Sequence, residues 1–151
     1  MNSYHFSFPT TETTLRICDF ILGSLIDTAK ASDSDKHRFK VIVSELVMNA
    51  YNHGNKADPE KYIDISIEMD EPELEVVVKD QGQGVARETF KAFVDSYSDP
   101  EDEHGRGIKL VCTFSDKVNL FRDGSGRFCV RARMTLGKQD FFKEKAEKIK
   151  V

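Results

Sequence analysis

Between Tyr62 and Lys79 the chain permits little besides a β-hairpin. Tyr62-Ile-Asp-Ile-Ser-Ile-Glu-Met69 alternates apolar and polar residues, the period of a strand with one wet face. Leu74 to Lys79 contains Val76-Val77-Val78 and predicts a second, more buried strand. Only Glu71-Pro72 and its neighbours link the two, too short a stretch for a parallel crossover. The strands must pair antiparallel. The segment after Lys79, Asp80-Gln81-Gly82-Gln83-Gly84, is then delivered to one end of a sheet.

The remaining elements fall around this hairpin. Tyr4 to Phe8 predicts a short opening strand ended by Pro9. From Thr11 to Ala31, Leu15, Ile17, Phe20, Ile21, Leu25 and Ile26 recur at helical spacing. Ser32-Asp33-Ser34-Asp35 offers an N-cap for a second helix reaching about Asn52, which Gly54 stops. Arg87 to Phe93 predicts a short helix, and the acidic stretch Asp95 to Glu103 a loop. Gly107 to Phe114 is helical, and Lys117 to Arg122 and Arg127 to Leu136 are strands joined at Asp123-Gly124-Ser125-Gly126. Hairpin strands interleaved with helices give the class α+β, a mixed and mostly antiparallel sheet with helices on one face. Residues 1–137 form the expected domain, and 138–151 a charged C-terminal tail, read as a frayed helix.

Composition narrows the function classes. At 151 residues, 39% hydrophobic and 32% charged, the chain suits one soluble domain with a proper core. Its net charge of −4 argues against a nucleic-acid partner. With neither a span-length apolar run nor a signal-peptide layout, no membrane association and a cytoplasmic location are expected. Cys18, Cys112 and Cys129 form no C-x-x-C pair and read as small core residues of a reducing compartment.

Three segments carry possible chemistry. Glu45, Asn49 and His53 share a face of the second helix at i, i+4 and i+8. Around them lie Ile42, Val43, Leu46, Val47 and Met48. A carboxylate in a partly dry pocket has a raised pKa, which suits a general base, and an amide oxygen suits Mg²⁺. Equally, Glu45 can pair with a neighbouring cation on a wet stripe, and His53 is favoured near a helix C-terminus by the dipole alone. In the second segment, Gly82 and Gly84 let the backbone approach a flat ligand, and Asp80 offers an acceptor suited to the amino group of adenine. A plain strand-ending turn has the same composition. In the third, His104-Gly105-Arg106-Gly107-Ile108-Lys109 opens a helix with free N–H groups that suit an anion, with Arg106 or Lys109 able to add charge. No Walker A loop or dinucleotide fingerprint competes for the phosphate.

The order Glu45-x-x-x-Asn49-Ala50-x-x-His53-Gly54, Asp80-x-Gly82-x-Gly84, Gly105-x-Gly107 resembles the N, G1 and G2 boxes of the Bergerat-fold ATPases, the superfamily of gyrase, chaperone, histidine kinase and MutL. The resemblance spans roughly residues 4 to 136. It implies a two-layer sandwich with ATP between helices and sheet, under a lid from Val85 to His104. It also implies Glu45 as catalytic base and Asn49 as the Mg²⁺ ligand. Asp80 would bind the adenine amino group, and Gly82, Gly84, Gly105 and Gly107 would line the pocket, with His53 and Arg106 beside the nucleotide. One departure stands out: the family often has Thr or Ser after a glycine near the adenine, whereas here Arg127 comes after Gly126.

A stand-alone domain of this length, with no room for a dimerisation helix pair or a transducer, resembles the anti-sigma-factor serine kinases. That resemblance implies transfer of phosphate to the serine of an anti-sigma-factor antagonist, sequestration of a sigma factor, and a homodimer, with Arg16 as one partner contact. The alternative is a nucleotide-sensing regulatory module that binds through the same boxes and transfers nothing.

Overall fold

Three isoleucines decide which way the sheet faces. Ile63, Ile65 and Ile67 are fully buried, while Asp64, Ser66 and Glu68 between them are half-exposed. Each buried isoleucine stabilises the fold by about 1.5–3 kcal/mol, so a one-residue slip that inverted the strand would be prohibitive. The computed structural model describes residues 2–84, 106–138 and 149–150.

In chain order the elements are β1 (Asn2–Pro9), α1 (Glu12–Ile26), α2 (Asp33–Asn49), a π-helical turn (Ala50–Gly54), β2 (Tyr62–Asp70), β3 (Glu73–Asp80), α3 (Arg106–Phe114), β4 (Lys117–Arg122), β5 (Phe128–Thr135) and β6 (Ile149–Lys150). The sheet order is β1-β2-β3-β5-β4-β6. All pairs are antiparallel except β4 with the two-residue β6. Ile65, Val78, Val130 and Leu120 stand in one cross-strand row, so one face of the sheet carries the apolar side chains. Phe39, Ile42 and Leu46 of α2, Leu22 and Ile26 of α1, and Val111 of α3 pack in the same core. This is the α+β sandwich that the strand and helix periodicities predict.

The opposite face is a lattice of charges. Arg131 and Arg133 each lie 2.8 Å from a Glu75 carboxylate oxygen, and Arg131 also sits 4.7 Å above the Phe121 ring. Val77 belongs to this face, in register with Ser66 and Arg131, so β3 alternates rather than burying all three valines. Such half-exposed pairs contribute about 0–1 kcal/mol each. They keep the face wet more than they hold the fold.

Both long helices begin on side-chain caps. Thr11 Oγ1 accepts from Thr14 N at 3.3 Å, and Ser32 Oγ accepts from Asp35 N at 3.1 Å. Their ends differ from the periodicity. α1 stops at Ile26 rather than Ala31 because Thr28 turns back, its hydroxyl 2.7 Å and its N–H 3.1 Å from the Leu25 carbonyl. α2 stops at Asn49, and the chain widens into the π-turn, closed by Asn55 N on the Ala50 carbonyl at 2.7 Å. Lys56 and Ala57 then take left-handed φ values of 53° and 56°. In the tail, Ile149 and Lys150 are extended beside Val118 and Asn119 rather than helical. The expected helix at Arg87 to Phe93 and the loop at Asp95 to Glu103 lie outside the described residues.

Asn55 locks this region. Its side chain is wholly buried and donates to Thr10 Oγ1 at 2.9 Å and to the Tyr62 carbonyl at 3.0 Å. Its Oδ1 accepts from Gln81 N at 2.7 Å. Replacing it strands buried partners that cost about 1–3 kcal/mol apiece. Asn55→Ala should therefore lower unfolding free energy by about 2–4 kcal/mol, read from the urea midpoint. A loss below about 0.5 kcal/mol, the range of neutral surface changes, would refute the role.

Candidate functional site

The end of β3, the end of α2 and the start of α3 meet at one corner of the sandwich. Asp80 is the last residue of β3 and points to the helical face, where it is buried. Its Oδ1 accepts the Gly82 N–H at 2.8 Å. The other oxygen abuts Gly54 so closely that a Cβ on Gly54 would overlap the carboxylate. Gly82 in turn lies against the Gly54 carbonyl, and a Cβ there would meet backbone that cannot give way. Burial raises the Asp80 pKa above its ordinary value, while the Gly82 N–H and the charges of Arg127, Arg122 and Lys61 act the other way.

Glu45 forms the second centre. α3 crosses the end of α2, and Gly107 comes so near Glu45 that a Cβ would collide with its carboxylate. Burial raises the Glu45 pKa, and the Asp19 carboxylate on α1 raises it further. Among the described residues no cation forms an ion pair with Glu45. That disfavours the reading of a neutralised surface stripe. One turn on, the side-chain nitrogen of Asn49 is buried without a hydrogen-bond partner. Such an orphan is costly unless something outside the described chain meets it.

Not every candidate converges. His53 lies in the π-turn and is exposed. Gly84 takes φ +77°, a conformation natural to glycine, against Phe128 and Arg122. Gly105 lies outside the described residues, as does the stretch from Val85 to His104, and Arg106 begins α3. Lys109 is buried rather than facing solvent. Arg127, which follows Gly126, pairs with Asp64 and donates to the Tyr62 carbonyl at 3.2 Å.

The sequence profile of the histidine kinase-like ATPase domain matches residues 8–134. The chain belongs to that family. Membership of an ATPase family implies that the chain uses ATP. Among curated relatives, the chain is similar to a Staphylococcus epidermidis protein named serine-protein kinase RsbW, 27% identical over 121 residues, covering 76% of each chain. A Staphylococcus aureus protein of the same name is 26% identical over the same coverage. No helix among the described residues of this ATPase domain is long and apolar enough to cross a membrane.

Sequence reasoning missed Asn55, Asp19 and Phe128. Asn55 had no signal, because its buried bonds to Thr10, Tyr62 and Gln81 depend on how the β1–α1 junction, β2 and the turn after β3 meet. Asp19 had none, because its nearness to Glu45 depends on how α1 packs on α2.

Crowding and burial at this corner can each be tested. Gly82→Ala should destabilise the ATPase domain by about 1–3 kcal/mol, whereas Gly124→Ala, with open space around it, should stay within about 0.5 kcal/mol. Equal effects would contradict the tight corner. For Asp80, a pKa higher folded than unfolded makes the protonated form favour folding. That contribution is complete below the unfolded carboxyl range near pH ~4, and is lost as pH rises through the folded pKa. Asp80→Asn should therefore be more stable than wild type without nucleotide near neutral pH, with the gain shrinking as pH falls toward about 4. Thermal melts across that range decide it, and a pH-independent difference would count against the buried charge.

Proposed function

We propose that this ATPase domain is a protein serine kinase of the anti-sigma-factor type. It would pass the γ-phosphoryl group of ATP to a serine of an anti-sigma-factor antagonist. The observation that carries the reading is Glu45: a carboxylate of raised pKa, without an ion-pair partner among the described residues and close against Gly107 of α3. The names of the curated relatives support the class of reaction.

In this reading Asp80 accepts the amino group of adenine, and Gly82 and Gly84 let the backbone approach the base. The Gly105-Arg106-Gly107 stretch would serve the phosphates, with His53 at the rim. The Asn49 amide, whose buried nitrogen lacks a hydrogen-bond partner among the described residues, fits a Mg²⁺–phosphate group, since it would offer an oxygen to the metal and a nitrogen to a phosphate oxygen. Bound Mg²⁺ would neutralise charge building on the phosphates.

Glu45 takes the proton of the acceptor serine hydroxyl. The serine oxygen then bonds to the γ-phosphorus as the bond to the β–γ bridging oxygen breaks, leaving phosphoserine and ADP. A base with a raised pKa holds that proton more readily than an ordinary carboxylate. The domain of residues 1–137, the tail of 138–151, a homodimer, sigma-factor sequestration with Arg16 at the contact, and a cytoplasmic setting belong to the same proposal.

The test combines ATP titration with transfer. Wild type with labelled ATP, Mg²⁺ and a candidate antagonist should yield phosphoserine. Glu45→Ala should bind nucleotide but transfer about 10²–10⁴-fold more slowly. Transfer at the wild-type rate removes Glu45 as base. Binding without phosphoserine identifies a nucleotide-sensing module, and no binding at millimolar ATP rejects the site.

A further inference from the structure

Phe128 opens β5 directly opposite Asp80 in the β3–β5 ladder. Opposed residues of an antiparallel pair project from the same face, so the ring and the carboxylate rise side by side toward the helices. Phe128 belongs to the core cluster at its margin, 9% exposed, where Ala132 and Met134 on the same strand are 0% and 1% exposed. Its ring also bounds the glycine turn. A Cβ on Gly84 would lie 2.7 Å from Phe128 Cδ2 and 3.1 Å from Arg122 Nη2. Arg122 holds that turn from the other side, donating to the Gln83 carbonyl and, at 2.9 Å, to the Gly126 carbonyl.

Asp80 and Gly84 thus both neighbour Phe128, one across the ladder and one against its ring, with Arg122 touching the same glycine. A carboxylate can read only the polar edge of a purine. The apolar ring system needs an apolar partner, and aromatic side chains supply one whatever the base. Phe128 is the aromatic residue that the β3–β5 register sets beside the carboxylate.

We propose that Phe128 is a base-contacting residue of the nucleotide pocket, its ring packing on the purine whose amino group Asp80 accepts. The inference rests on the ATP-binding reading above and adds a binding residue that the glycine boxes do not contain.

Titration calorimetry and NMR on the full chain test it. With phenylalanine rings ¹³C-labelled and the protein saturated with ATP, adenine H2 or H8 should show cross-relaxation to one ring, and Phe128→Leu should abolish it. Phe128→Ala should weaken ATP binding by about tenfold, and Phe128→Leu by less. If ATP binds but no phenylalanine ring contacts the base, or if the cross-peak survives in Phe128→Leu, the proposal is overturned while ATP binding stands. Wild-type affinity in a folded Phe128→Ala overturns it equally. The labelled wild-type measurement decides the matter even if the alanine variant does not fold. Failure of wild type to bind ATP would instead sink the underlying reading.

Discussion

The buried amide of Asn55 is the joint on which the site depends. Its two donors and its acceptor are spent on Thr10, the Tyr62 carbonyl and the Gln81 N–H. Those partners belong to the β1–α1 junction, the first residue of β2 and the turn after β3. Asn55 itself closes the π-turn that ends α2. Four stretches distant in sequence therefore share one set of buried hydrogen bonds, and none can move without exposing or orphaning a polar group. Because Asp80 precedes Gln81 and Glu45 lies on α2, this joint also fixes the carboxylate proposed to bind adenine relative to the proposed base.

Around the joint the two faces of the sheet treat charge in opposite ways. On the open face Glu75, Lys79, Asp64, Arg127, Arg131 and Arg133 all have partners, and solvent reaches them. At the corner, Asp80 and Glu45 are drawn into protein with no ion pair among the described residues, and burial is the largest influence on each. A fold tuned for stability alone would neutralise them. Carboxylates kept costly within the protein itself are what a site needs if a ligand is to supply partners, in the proposed reading an amino group in one case and a hydroxyl proton in the other. The unpartnered nitrogen of Asn49 obeys the same logic.

Much of the frame was legible because burial in strands and helices leaves a period in the sequence. The hairpin of β2 and β3 is dictated by alternation and a short link, and Lys117 to Arg122 was bounded to the residue. Helix ends were less legible. They turn on single hydrogen bonds, such as Thr28 folding onto Leu25, that compete with further helix at nearly equal free energy. In the site, the positions of Glu45, Asn49, Asp80 and the glycines were visible as spacing, but what each glycine makes room for was not. Gly54 makes way for Asp80, Gly82 for Gly54, and Gly107 for Glu45. Each is a contact between segments, and a linear pattern records only that a side chain is missing there.

This interlocking explains how weak motifs become one site. Glu45 is matched to α3 through Gly107, and Asp80 to the end of α2 through Gly54. α2 and the π-turn that follows it thus carry one half of each match, with Glu45 at one end of the interlock and Asp80 at the other. The Arg127 departure fits the same geometry. Register puts Phe128, not Arg127, opposite Asp80, while Arg127 is engaged with Asp64 and the Tyr62 carbonyl. The place beside the carboxylate is therefore filled by a ring. In the proposed pocket, discrimination at that end would fall to Asp80, since an aromatic ring packs on any purine but cannot distinguish an amino group from a carbonyl.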